Sequence, residues 1–292
     1  MKSSFAECSA RERLSQLLDH ASFKEWLPPQ VRATSPHLAQ LGIPGAFDDG
    51  VVIGCGNLDG HAVFAAAQEG SFMGGGVGEV HGAKLVGLFR RAIRDRPEAV
   101  LILAESGGVR LHEANAGLIA VSEVMRALLD TRAAGIPVLV LIGGANGCFG
   151  GMGLVSRCAD YLIMSDNGRL AMSGPEVIEA SHGVDEYDSR DRALVWRTTG
   201  GKHRYLLGDC DELVEDEVPA FREAAIRAIH MRRPMDLDAL EAEHSLLAKR
   251  LETAPEGADP VLLWKSLGVH DAARVPRMDV AEIRAERTAL QD

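Results

Sequence analysis

Apolar positions change their period several times along the chain, and each change marks an element. Residues 11–27, RERLSQLLDHASFKEWL, are spaced for one short amphipathic helix followed by a docking segment. A stretch rich in Pro and Gly, PPQVRATSPHLAQLGIPGAFDDG, links this to the core. VVIGCG and HAVFAAA then read as two strands joined by the hairpin turn NLDG. Over 79–94, Val80, Ala83, Val86, Leu88, Ala92 and Ile93 fall at broadly helical spacing. Strand and helix alternate from there: strand 99–105, helix 113–134, strand 137–142 and a shorter helix 151–158. YLIMS and RLAMSG read as short strands, and PEVIEA opens a helix with Pro175 in its first turn, where the missing N–H costs nothing.

Near-continuous apolar strands separated by helices imply an α/β core whose strands are covered on both faces. Some strands come in pairs before a helix, so the unit reads as ββα. From about residue 212 the chain is mostly helical and charged, through EDEVPAFREAAIRAIHMRR and DLDALEAEHSLLAKRLE to a tail beginning near EGADPVLLWKSLG. The charge runs there read as solvated helix faces.

Composition narrows the class. With 292 residues the chain can bury a large core, and 46% hydrophobic against 25% charged residues argues against disorder. A net charge of -11 argues against a nucleic-acid surface and against anionic lipid. No apolar run approaches the ~20 residues that span a bilayer, and the N-terminus is charged where a signal peptide is apolar. Five cysteines, with no CxxC pair, point to reduced thiols in the cytoplasm and to neither a zinc ribbon nor a disulfide framework.

Candidate chemistry gathers at glycines. AESGG and GGANGCFGG each end an apolar strand just before a helix. Without a Cβ, the amides of Gly107, Gly108, Gly150 and Gly151 can approach a ligand closely, and a helix N-terminus adds partial positive charge. Two such N–H groups on one oxygen would stabilise an enolate or another oxyanion. These glycines could equally serve tight turns alone. A third cluster, SFMGGGVGEVHG, places Gly74, Gly75 and Gly76 where backbone could line an acyl or pantetheine tunnel, or only let a helix pack closely on the sheet. Arg110, His81 and His112 lie beside these loops, as candidate carboxylate or proton partners or as surface and cap residues.

Rival chemistries fit less well. GCGNLDG and GVGEVHG are one residue too long for the dinucleotide fingerprint, the first leads into a strand, and no GxxxxGK[ST] occurs. Ala104-x-Ser106-x-Gly108 is a relaxed nucleophile elbow with His182 and His203 downstream. Two glycines and Arg110 follow Ser106 before any helix, so a strand-end hydroxyl that bonds the loop backbone is the plainer reading.

Across about residues 8–215 the ordered motifs SARERLSQLLDHASFKEW, DDGVVIGCGNLDGHAVFAAAQEGSFMGGGVGEVHGAKL, AESGGVRLHEA, GGANGCFGGMGL and MSGPEVIEASHG resemble the carboxyltransferase-type members of the crotonase superfamily. The beta subunits of biotin-independent malonate decarboxylase are the nearest pattern. The resemblance implies a crotonase-like ββα spiral core with an N-terminal helical segment and C-terminal helices. It implies one such domain over 1–292, with an arm at 1–45 and a helical region at 212–292 packed on it. It places the enolate-holding amides on Gly107, Gly108, Gly150 and Gly151, and beside them the loop reading above leaves Gly74, Gly75, Gly76 and Arg110 as the candidate substrate contacts.

Two departures sharpen it. Acetyl-CoA carboxylase beta subunits carry a four-cysteine zinc ribbon ahead of this core, whereas only Cys8 precedes residue 55. Propionyl-CoA-type enzymes fuse two cores, and this chain has length for one. The family's active site lies between two cores, so the resemblance implies a gamma-subunit partner. It also implies an acyl carrier protein with its transferase subunit, and conversion of malonyl-S-carrier to acetyl-S-carrier and carbon dioxide. No metal, no biotin and no cofactor of its own are expected, the carrier's pantetheine-type group being part of the substrate. The alternative is the carboxyltransferase subunit of a biotin-dependent acyl-CoA carboxylase or decarboxylase, and a non-catalytic scaffold is a third reading.

Overall fold

The computed structural model describes residues 4–253 and 258–290, so the expected start of the tail at Glu256 lies outside the described residues. Ser9 and Glu12 form a reciprocal capping box, which starts α1 (Ala10–Leu17). A short strand, β1 (Lys24–Trp26), and a one-turn helix, α2 (Pro36–Gln40), follow within the linking stretch. β2 (Val51–Leu58) and β3 (His61–Gln68) form the expected hairpin. Its two turn residues, Asp59 and Gly60, both have positive φ, the left-handed geometry that matches strand twist.

From β3 onward the chain alternates. α3 (Glu79–Asp95) leads to β4 (Ala99–Ala104), α4 (Asn115–Ala133) to β5 (Val138–Ile142), and α5 (Gly150–Arg157) to β6 (Tyr161–Ser165). α6 (Pro175–His182) has Pro175 in its first turn, as the sequence predicts. α7 (Arg192–Thr199) and α8 (Gly201–Leu206) precede β7 (Glu212–Val214), a strand that the charged character of this region hides. α9 (Val218–Ala228), α10 (Leu237–Thr253), α11 (Pro260–Leu267) and α12 (Val280–Ala289) complete the described chain.

The strands make one sheet in the order β1 to β7, antiparallel up to β3 and parallel from β3 to β7. β4 and β5 are buried along their whole length, so neither face shows polar alternation. Ile102, Val140, Leu85, Val124 and Met152 pack on one face, beneath α3, α4 and α5. Leu101, Leu139, Leu14, Leu17 and Phe221 pack on the other, beneath α1 and α9. A third cluster around Trp264, with Leu206, Leu213, Val275 and Ile283, joins the last helices to α8 and β7.

RLAMSG is not a strand. Beyond the C-terminal ends of the parallel strands the second strand of each ββα unit shrinks to single rungs: Val77 with Val109, Ser106 with Cys148, Cys148 with Leu170, and Arg169 with Gly200. These rungs form a second, minimal layer of the spiral.

Candidate active site

The rung layer brings the three glycine loops together. The Ser106 N–H donates to the Gly147 carbonyl (2.8 Å), and the Phe149 N–H donates to the Ser106 carbonyl (2.7 Å). The Val77 N–H donates to the Gly108 carbonyl (2.9 Å). Gly108 and Gly150 therefore face each other at van der Waals range: a Cβ built on Gly150 would lie 2.9 Å from the Gly108 Cα. Both also need positive φ (119° and 58°), so glycine is required twice over at this junction.

The four amides do not all point at one free space. The Gly107 N–H donates to the Gly74 carbonyl (2.7 Å) and the Gly150 N–H to the Met172 carbonyl (2.9 Å). The Gly108 N–H reaches the Ser106 hydroxyl at 3.1 Å, and that hydroxyl in turn lies 3.3 Å from the Gly108 carbonyl. Gly151 lies in the first turn of α5, where a helix leaves its N–H groups unpaired, and its N–H has no partner among the described residues. Of the four candidate amides, those of Gly107 and Gly150 are taken up in tying the loops to each other. The Gly151 N–H is open, and the Gly108 N–H is held only by a side-chain hydroxyl.

Gly74, Gly75 and Gly76 fold as a tight turn against the same junction. A Cβ on Gly75 would meet the Glu105 carbonyl oxygen at 1.9 Å, so this loop lies directly on the end of β4. Gly74 and Gly107 remain exposed beside each other.

Arg110 is also corrected. It is 2% exposed, and its Nη1 bonds Asp49 (2.9 Å) and Glu113 (2.8 Å) while Nη2 donates to the Asp49 carbonyl (3.2 Å). Two carboxylates already neutralise it, so it braces the loop from below and holds no substrate carboxylate. His81 is equally internal. Burial, with Arg110 nearby, pushes its pKa down to about 3, so the ring is neutral. Its Nδ1–H donates to the Asp49 carbonyl (3.1 Å) and its Nε2 accepts from the Gln68 amide (3.0 Å). His112 is on the surface.

The hydrolase reading does not survive this geometry. Ser106 is fully buried, and no histidine bonds its hydroxyl among the described residues. His203 accepts instead from the Trp264 indole (3.2 Å). Burial pushes the Cys148 thiol up to about 12, so it offers no thiolate nucleophile beside the loop.

One device escaped the sequence reading. Glu105, at the end of β4, is 4% exposed and takes Arg13 from α1 at 2.5 Å and the Asn146 N–H at 3.0 Å. The Asn146 side chain then donates to the Gly70 carbonyl (2.7 Å). A single buried carboxylate thus pins the ends of β3, β4 and β5 and the N-terminal helix around the glycine junction. The signal was present: Arg13 falls on the same helix face as Ala10, Leu14 and Leu17, and a charge on a buried face needs a partner.

Exposed apolar side chains flank the junction: Leu111 after the first loop, Leu118 and Ile119 on α4, Leu154 on α5, and Met172. A glycine junction at the C-terminal end of a parallel sheet, roofed by a rung layer, defines a crotonase-like carboxyltransferase site. The carboxyl transferase domain matches residues 6–234, and the chain belongs to that family. Within it, the chain is 39% identical to malonyl-S-ACP:biotin-protein carboxyltransferase MADC of Malonomonas rubra, over 99% of this chain and 96% of that one. A Pseudomonas malonate decarboxylase hetero-tetramer in complex with malonate superposes with a TM-score of 0.83 and 37% identity, covering 90% of this chain and 96% of the matched one. The propionyl-CoA carboxylase beta chain of Saccharopolyspora erythraea is 32% identical over 70% of this chain but only 37% of its own length. The chain is therefore a carboxyltransferase-type enzyme subunit, and its full-length likeness is to proteins of malonate decarboxylation. No described helix is long and apolar enough to cross a membrane.

Proposed function

We propose that this subunit decarboxylates a malonyl thioester carried on an acyl carrier protein, together with a gamma subunit and with the transferase subunit that loads the carrier. Breaking the bond to the carboxylate leaves an electron pair on the α-carbon, which delocalises onto the thioester oxygen as an enolate. A donor fixed in place beforehand stabilises that oxygen without reorganising, and each such donor lowers the barrier by ~3–4 kcal/mol. The Gly151 N–H, at the positive end of α5, is one donor. The Gly108 N–H is the second, on turning from the Ser106 hydroxyl to the substrate. Gly107 and Gly74 border the exposed side by which the thioester enters, with Gly75 and Gly76 behind them. Proton delivery to the α-carbon completes the acetyl thioester.

The open Gly151 amide beside the paired loops carries this reading. The apolar side chains around the junction support a second crotonase-like subunit closing the site, and cysteines that form no disulfide support work in the cytoplasm. The pantetheine-type arm belongs to the substrate, and the chain holds no cofactor of its own. One observation favours a second reading: the M. rubra relative is by its name a carboxyltransferase to a biotin protein. In that case the same enolate forms while the carboxyl group passes to biotin. Decarboxylation by the reconstituted beta–gamma pair, with and without avidin, separates them. We expect a rate unaffected by avidin; inhibition establishes the biotin route instead.

A further inference from the structure

The N-terminal ends of the parallel strands, away from the glycine junction, hold a group of side chains that the reaction does not use. His61 opens β3, Glu98 immediately precedes β4, and His230 follows α9. One ligand atom from each lies within 4.8 Å of the others. His61 Nδ1 and Glu98 Oε2 are 2.7 Å apart, and the two imidazole rings stand edge to face with centroids 5.4 Å apart.

We propose that His61, Glu98 and His230 form a binding site for a divalent ion of the zinc class, with water completing the coordination. Two imidazoles and one carboxylate are the donor set that zinc and its neighbours prefer to calcium or magnesium. Zinc holds nitrogen and oxygen ligands at ~2.0–2.2 Å, which sets them roughly 3.4 Å apart around a tetrahedron. The present separations, from 2.7 Å to at most 4.8 Å, lie on either side of that spacing, and Glu98 and His230 are exposed and His61 half-exposed.

The supporting backbone is fixed. The Glu98 N–H donates to the Ala62 carbonyl (2.9 Å), and the Ala62 N–H returns to Glu98 Oε1 (3.3 Å). His230 follows the buried Ile229, and the Met231 N–H donates to the Ala228 carbonyl (2.8 Å). The nearby cations point away: Arg96 bonds the Ala134 carbonyl and Arg232 the Gly135 carbonyl. Along β3 the group is roughly 20 Å from the glycine junction, at ~3.3 Å per residue. The ion is therefore a staple between β3, β4 and α9 and stays remote from the thioester.

Calorimetric titration of the metal-stripped full-length chain with zinc chloride tests this, alongside H61A and H230A variants shown by circular dichroism to be folded. The expected result is one ion per chain, binding at least about tenfold weaker in each variant, and a zinc-dependent rise in Tm seen only in the parent. Cobalt loading should give a spectrum without a thiolate charge-transfer band, which distinguishes this site from binding at the cysteines. Equal zinc binding by parent and variants, a thiolate band, or no saturable binding to the parent overturns the proposal.

Discussion

Gly107 offers the most discriminating perturbation of the proposed chemistry, because it is a glycine the fold does not need. A Cβ there would meet nothing nearer than the Gly74 carbonyl at 3.4 Å, and its φ is not in the left-handed region. Gly108, Gly150 and Gly151 are unsuitable: the first two have positive φ and touch each other, and a Cβ on Gly151 would meet Val121 Cγ1 at 2.5 Å. Adding a side chain at 107 lowers unfolded-state entropy, which stabilises by ~0.4–1 kcal/mol where the backbone is compatible. At about 2–4 °C per kcal/mol for a chain of this size, Gly107→Ala should keep Tm or raise it by a few degrees. The same Cβ enters the space assigned to the thioester, and displacing a reacting carbonyl by ~1 Å costs on the order of 10² in rate. We expect Gly107→Ala to lose about tenfold and Gly107→Val about a hundredfold or more in kcat/KM. The assay is carrier-thioester decarboxylation by the beta–gamma pair, with a calorimetric melt on the same samples. A folded Gly107→Val with parental activity would refute the placement of the thioester.

Two further outcomes follow from buried charge. Glu105→Gln preserves shape but leaves the Arg13 guanidinium without its counter-charge, so unfolding free energy should fall by ~3–5 kcal/mol in a urea melt; adding Arg13→Met should restore part of the loss. A change within ~0.5 kcal/mol in the single variant would show that the pair is not the pin described. His81 and His203, both held down to about 3 mainly by burial, stay neutral in the native state while the unfolded chain takes up protons below about 6.5. Their contribution is complete above that pH and is lost progressively as pH falls towards 3, amounting to ~2 kcal/mol each at pH 5. His203→Gln should therefore flatten the loss of stability between pH 7 and 5, and an unaltered slope would count against a neutral buried ring.

The sheet core was readable because its strands are short, wholly apolar and separated by long stretches of helical spacing. The hairpin at Asp59-Gly60 carries its turn chemistry openly. β7 was not readable, since three residues amid acidic neighbours give no period, and a lone apolar stretch such as RLAMSG cannot reveal that its partner contacts are single rungs. The glycine junction itself was legible as two similar strand ends. Which amides stay open was not, because the partners of Gly107 and Gly150 are carbonyls of Gly74 and Met172, residues on separate loops that only the folded chain brings near. Arg110 failed for the same reason: the sequence shows a cation beside a loop, whereas Asp49 and Glu113 enclose it.

Strand order in the sheet repeats strand order in the chain, which gives the protein a direction of assembly. Each new strand can dock on an edge already made, so growth from the ribosome never has to reopen a finished pairing. The exception is the beginning. Phe5 stacks on Phe221 with ring centroids 4.1 Å apart, and Ser4 bonds Asp216. The segment ahead of α1 is thus tied across the strand order to the start of α9, and Arg13, on the helix that follows it, reaches Glu105 and the glycine junction from that anchored position.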